Sequence, residues 1–485
     1  MRLTRRHMLA GLASATATSA WAEAPSGSIR PRPRNPEEYL ARLPGGADLV
    51  RKTRLPGQVG FAVANARTGE ILDSHEPDLP MPPASTAKAL TTLWALDRLG
   101  ADYRYETTAV ATGPVTNGRI EGDLILAGGG DPVLDTDDLA SVVMALKAQG
   151  IREIGGKVRV YTGALPFLHE IDVEQPDHVG YNPAICGLNL NFNRVHFGWE
   201  RSGNSYSVTM DGRSGNYIPA VEMARMEVID RSGPVYTYEQ SDRTDSWTVA
   251  RAALGSGGSR WLPVRYPGLY AGEVFQTVAR AEGIMTAGPV ERADAVEGVV
   301  LHTHRSDVLP PLLEDMLRYS TNITAEIMGL TASQTLGPVR TLQGSADRMN
   351  AWLKKTYGLR TVSLEDHSGL GDDSRITATD MVRAMVGSGP GGALRPLMKE
   401  FALDDRRFQV DAKTGTLNFV SALTGYVSGP SGDPLAFAIF CGDIPRRDAL
   451  TMAQRERPEG GRGWIAVAKG LQRNLLELWG KKYLL

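Results

Sequence analysis

The chain has 485 residues and a mass of 52.4 kDa, with 53 basic against 55 acidic side chains and 42% apolar residues. That apolar share supports packed cores, in about two to four domains at this length, and excludes an extended disordered chain. A pI near 6.5 gives no reason to expect nucleic acid as a partner, and two cysteines, Cys186 and Cys441, exclude a disulfide scaffold or a four-cysteine metal site while leaving their own pairing open.

Residues 1–22 begin with Arg2, Arg5 and Arg6, continue through a short apolar run, and end on Ala20-Trp21-Ala22, an A-x-A cleavage signal. The Arg5-Arg6 pair after Thr4 resembles a twin-arginine signal, with an ordinary Sec signal as the alternative; either sends the protein out of a bacterial cytoplasm. Cleavage there leaves a net charge of about −5. Residues 23–43, with Pro25, Pro31, Pro33 and Pro36, read as an extended linker. The expected location is the periplasm or cell envelope. At most peripheral membrane contact is expected, because no later stretch approaches about 18 uninterrupted apolar residues.

Residues 59–64 and 70–73, separated by Arg67-Thr68-Gly69, read as a β-hairpin. After Pro80, Pro82 and Pro83 comes a helix over 85–99, with Leu90, Leu93, Leu96 and Leu99 on neighbouring rows and Gly100 as its stop. From 103 to 299 short β-like runs (107–111, 123–127, 158–161, 206–210 and 248–250) alternate with turn residues. This predicts a β-rich insertion of about two subdomains, the inner one over about 195–250. Helical periodicity returns over 308–319, breaks at Ser320-Thr321-Asn322, and resumes over 325–332. Strands are predicted at 410–417, 420–427 and 435–441, and a last helix over 464–479. The result is an α+β protein whose outer domain, 44–102 plus 300–485, is built from both ends of the chain around the insertion.

Three short motifs carry chemistry. Ser85-Thr86-Ala87-Lys88 places a hydroxyl and an amine at i and i+3, on one helical face and close enough for proton transfer. Unpaired N–H groups at a helix start also favour a developing oxyanion. Taken alone, the pattern equally describes a helix cap followed by a solvated lysine. Lys413-Thr414-Gly415-Thr416 offers a cation and hydroxyls on a predicted strand, with a glycine that permits close approach; a solvated edge strand is the plainer alternative. Ser320-Thr321-Asn322 offers a hydroxyl and a carboxamide, or simply an N-cap.

Together, in the order S-x-x-K, S-x-N, K-T-G behind an export signal, they resemble the penicillin-recognising serine hydrolases. The 235 residues between Ser85 and Ser320 resemble the D-alanyl-D-alanine carboxypeptidase/endopeptidase family, peptidase family S13, of the penicillin-binding protein 4 type. Three further segments carry the likeness: the run from Glu121-Gly122-Asp123-Leu124 to Gly128-Gly129-Gly130-Asp131-Pro132, then Tyr181 with Leu188-Asn189-Leu190-Asn191, and Asp366-His367-Ser368-Gly369-Leu370. Cys186-Gly187 and His367 depart from the pattern, and 202–246 match nothing in it.

The resemblance implies a penicillin-binding transpeptidase-type fold and an acyl-enzyme on Ser85, with no cofactor and no metal. Lys88 is implied as the base, kept partly neutral by burial and a neighbouring cation. Backbone N–H groups of Ser85 and Thr416 would hold the oxyanion, Ser320 would pass a proton to the leaving amine, and Asn322 would bind a substrate amide. Lys413, Thr414, Gly415 and Thr416 would meet the terminal carboxylate, and Leu370 would line the substrate site. Among the acids before Tyr181, Asp177 fits best as a partner for the free amine of a stem-peptide side chain; a solvated loop acid is the alternative. Peptidoglycan stem peptides would be the substrate and β-lactams covalent inhibitors. A serine β-lactamase or esterase and a non-catalytic wall-binding protein remain as competing readings.

Other patterns fail on their spacing. Gly150, Gly155-Gly156-Lys157 lacks the Ser/Thr of a P-loop, Gly369-Leu370-Gly371 lacks the third glycine of a dinucleotide loop, and His302 with His304 lacks a third ligand.

Overall fold

The computed structural model describes residues 43–241 and 243–485, and those from Pro44 onward form one compact unit. The predicted signal segment and nearly all of the predicted linker lie outside the described residues. The strand Gln58–Asn65 pairs antiparallel on one side with Ile71–His75 and on the other with Leu435–Gly442. Val420–Ser428, Gln409–Leu417 and the short Lys399–Glu400 complete a six-stranded sheet, so both ends of the chain share one set of hydrogen bonds. Central strands such as Leu435–Gly442 are buried at every position, as expected of a sheet covered on both faces. The C-terminal helix Gly461–Tyr483 fastens onto the N-terminal hairpin: Trp479 packs on Phe61, its indole N–H donates to Asp73, and Tyr483 donates to the Leu72 carbonyl.

The opposite face carries a helical cluster around Ala87–Leu99. The leucine rows predict an amphipathic helix, yet positions Ala87 to Ala95 are all buried, so this helix is surrounded by protein. Helices Leu309–Tyr319, Asn322–Gln334, Leu342–Tyr357 and Ala378–Ser388 contribute to the same core, with Trp94 against Trp352 inside it.

Residues 106–305 form the insertion, with a second continuous core. It is less purely β than its sequence texture suggests, because Thr136–Ala148 and Pro267–Ala281 are helices packed on a mixed five-stranded sheet. Two three-stranded sheets occupy its inner part, between Arg194 and Pro263. The expected boundary at 299 moves, because Val299–Arg305 pairs with Glu106–Ala111 and so closes the insertion's sheet. In the other direction, Leu165, Ile171 and Ile185 pack into the outer core. That contact brings the 165–185 stretch to the site. Cys186 and Cys441 are both buried free thiols.

Candidate active site

A single 3₁₀ turn, Ala84–Thr86, leads into the buried helix, and Ala84 sits at φ +46°, unfavourable for a residue with a Cβ. Backbone from two sides holds this turn. A Cβ on Gly415 would lie 2.8 Å from the Pro83 carbonyl oxygen and 3.0 Å from the Ser85 nitrogen. On Gly369, where φ is +73°, it would lie 1.9 Å from the Ala84 carbonyl oxygen. Glycine at both places lets the Gln409–Leu417 strand press on Pro83 to Ser85 and the 366–371 loop on Ala84, next to Ser85.

Lys88 is completely buried, with its Nζ 3.0 Å from Ser85 Oγ. It also donates to Asn322 Oδ1 and to the Ser368 carbonyl, each at 2.8 Å. Those two acceptors take the two protons of a neutral amine, which leaves the lone pair for the Ser85 hydroxyl proton. Burial lowers the lysine's pKa to about 8. The carboxylates of Glu326 and Asp366 pull it back up, and the neighbouring cation is Lys413, since the two ammonium charges oppose one another.

Ser320 ends the helix Leu309–Tyr319 in the left-handed conformation, φ +59°, and does not act as the N-cap its sequence suggests; Thr321 occupies that place. The bend turns Ser320 toward Lys413, whose Nζ donates to Ser320 Oγ at 3.0 Å and to the Thr414 carbonyl at 2.7 Å. Lys413 is itself buried, and burial together with the Lys88 charge holds its ammonium well below the usual lysine range. Sequence reasoning presents Lys413 to the substrate, but strand alternation turns it inward behind Ser320 and leaves Thr414 and Thr416 facing the cleft. Asn322 is spanned at both ends, since its Nδ2 donates to the Tyr181 carbonyl at 3.1 Å.

The cleft has a volume of about 1050 Å³, and Ser85, Ser320, Asn322, Leu370, Thr414 and Thr416 are among the residues that line it. Asp177 does not line it. Its side chain is exposed, and its carbonyl is drawn inward by the buried guanidinium of Arg265, which also binds the carbonyls of His169 and Asn182. Glu174 is paired with Arg455 at 2.8 Å, and Asp172 accepts from Gln175. The same wall instead shows Gln175 and Tyr181, then Arg447, Arg455, Arg457 and Arg462 against one carboxylate, Glu456. Asp372, paired with both Arg447 and Arg455, fixes two of these guanidinium groups.

Sequence reasoning missed Glu326, which is buried one helical turn beyond Asn322 and accepts the N–H groups of His367 and Ser368. An acid between Ile323, Ile327 and Leu330 on a buried helix is a legible signal, since such a residue needs a partner. The 366–371 loop that it supports is held from further sides, although His367 Nδ1 is buried without a partner among the described residues. The carboxylate of Asp366 takes the Gly369 and Gly371 N–H groups, and the His367 carbonyl accepts from Thr91. The asparagines of the Leu188–Asn191 run are structural: Asn189 and Asn191 are buried and bonded within the insertion.

This geometry sets a serine hydroxyl beside a buried lysine amine, backed by a second serine–lysine pair. The family model for the D-Ala-D-Ala carboxypeptidase 3 (S13) family matches residues 47–457, and the chain belongs to that family. A D-alanyl-D-alanine carboxypeptidase of Actinomadura sp. (strain R39) is 28% identical, over 85% of either chain. Another from Haemophilus influenzae, named DacB, is 24% identical over 84% of this chain and 90% of its own. In fold, the chain is similar to the crystal structure of penicillin binding protein 4 (dacB) from Haemophilus influenzae, with a TM-score of 0.73 at 21% identity, covering 90% of this chain and 99% of that one.

Proposed function

We propose that the protein is a serine-type D-alanyl-D-alanine carboxypeptidase with endopeptidase capacity, which trims peptidoglycan stem peptides and is acylated by penicillins. The observation that carries this is the 3.0 Å approach of a fully buried lysine amine to Ser85, with its other two bonds spent on fixed acceptors. Lys88 takes the Ser85 proton as Oγ attacks the carbonyl between two D-alanine residues, and the oxyanion is met by the N–H groups of Ser85 and Thr416. Ser320, polarised by Lys413, returns a proton to the leaving amine. The Thr414 and Thr416 hydroxyls meet the terminal carboxylate, with the Lys413 charge behind them. Asn322 orients both Lys88 and the Tyr181 segment. Water then releases the acyl group. The arginine wall suits an acidic peptide, which is what a stem peptide with free carboxylates is.

The reading assigns 44–102 with about 306–485 to catalysis, 106–305 to substrate access, and 1–22 to export into the periplasm or cell envelope. No helix among the described residues is long and apolar enough to cross a membrane. The test is covalent labelling by a fluorescent penicillin, followed over time, together with release of D-alanine from a monomeric stem pentapeptide and cleavage of a cross-linked dimer. A stable adduct lost in Ser85→Ala, with D-alanine release, is the expected result. Rapid turnover of the adduct without peptide cleavage would make the protein a β-lactamase; no adduct and no cleavage would make it a non-catalytic binder.

A further inference from the structure

We infer that Glu326 is a positioning residue for acylation: its buried carboxylate holds the loop whose Ser368 carbonyl orients Lys88, and it balances the ammonium that forms on Lys88 as Ser85 attacks. This rests on the acyl-enzyme reading above.

Glu326 lies on the helix Asn322–Gln334, four residues past Asn322 and so on the same helical face. Its two oxygens divide between consecutive N–H groups, His367 at 2.9 Å and Ser368 at 2.8 Å. The carbonyl of that same Ser368 is one of the two fixed acceptors of Lys88. One helix therefore reaches the base twice, directly through Asn322 and through the loop by way of Glu326. Burial and the Asp366 charge push the Glu326 carboxyl up to about 8. What favours its ionised form is the hydrogen bonding from Ser368 and His367 together with the Lys88 ammonium, so the two charges support each other. The charged and titratable groups facing the pair are Lys88 on its helix, Glu365, Asp366 and His367 on the loop, Lys413 on the strand and Asp172 on the insertion segment. His367 does not act as a counter-charge: burial keeps it neutral, and its Nε2 is bonded to Ser345 Oγ at 2.7 Å.

The step balances without any further reactant. The Ser85 Oγ–H proton moves to the Lys88 lone pair, the Oγ–carbon bond forms, and the carbonyl pair becomes the oxyanion. Positive charge thus appears on Lys88 in the transition state, and a fixed carboxylate nearby stabilises it more than it stabilises the neutral ground state.

The experiment is the pH profile of the second-order acylation rate with a fluorescent penicillin, for the wild type, Glu326→Gln and Glu326→Asp. In Glu326→Gln we expect a plateau about tenfold to a hundredfold lower and an acid limb shifted down by about one pH unit, because the charge favouring ammonium is gone. Glu326→Asp keeps the charge but is too short to reach both N–H groups, so its plateau falls while its limb stays in place. A loss of folded protein alone would lower the amplitude of labelling and move neither rate nor limb. An unmoved or upward-moved limb in Glu326→Gln overturns the inference, as does a wild-type plateau in Glu326→Asp. If Glu326→Gln does not fold, the Asp profile decides alone. An unlabelled wild type would instead sink the acyl-enzyme reading itself.

Discussion

Gly415→Ala tests the claim that backbone packed against backbone sets the nucleophile's geometry. The added methyl would meet the Pro83 carbonyl oxygen at 2.8 Å and the Ser85 nitrogen at 3.0 Å. Both are main-chain atoms, so no flexible side chain can yield. To regain an ordinary contact of about 3.4 Å, the Gln409–Leu417 strand must retreat from the Ser85 turn by about half an ångström. That strand pairs through its full length with Val420–Ser428 in the middle of the sheet, so the retreat is opposed and costs about 1–3 kcal/mol in stability. It also widens the gap between the Ser85 and Thr416 N–H groups. A displacement of about 1 Å at a reacting centre can cost a hundredfold, so acylation by penicillin is expected to slow by about tenfold to a hundredfold. The assay is stopped-flow acylation of protein shown to be folded by circular dichroism and by its denaturation midpoint. A folded Ala variant with wild-type acylation would show that the strand does not hold the oxyanion site.

Acylation should climb about tenfold from pH 7 to pH 9 and level off above, because Lys88 acts as a base only when neutral and burial places its pKa near 8; a flat profile would remove Lys88 from that role. Since Lys413 reaches the cleft through Ser320, Lys413→Ala and Ser320→Ala should slow acylation similarly and the double variant little further, whereas additive losses would mean that they act separately. Arg265→Met strands the carbonyls of His169, Asn182 and Asp177, and should cost about 3 kcal/mol or more by urea denaturation; an unchanged midpoint would show that the guanidinium does not hold the segment.

Much of the catalytic sheet was readable from its alternation and turns: the hairpin at 59–73 and the three late strands appear within a residue or two of their expected ends. The helices Thr136–Ala148 and Pro267–Ala281 were hidden among turn-rich neighbours, and the insertion looked more β than it is.

The spacing of Ser85 and Lys88 is a property of one helical turn, so the chain by itself determined that pair, and the order of three motifs determined the family. What Lys88 and Lys413 do with their charge was decided elsewhere. Asn322 lies 234 residues from Lys88, and Ser320 lies 93 from Lys413; those contacts exist only once the helical cluster closes on the sheet. Alternation says that Lys413 and Thr414 face opposite ways, but not which face meets the helices. Likewise, four acids before Tyr181 advertise charge without direction. The buried Arg265 draws the Asp177 carbonyl inward and leaves its carboxylate outside, so the wall near Tyr181 carries arginines from a segment more than 250 residues later. Local hydrogen bonding and side-chain period are written in neighbouring residues. Burial, which here sets a lysine near pKa 8 and turns an acid into a support, depends on what the distant chain brings to cover them.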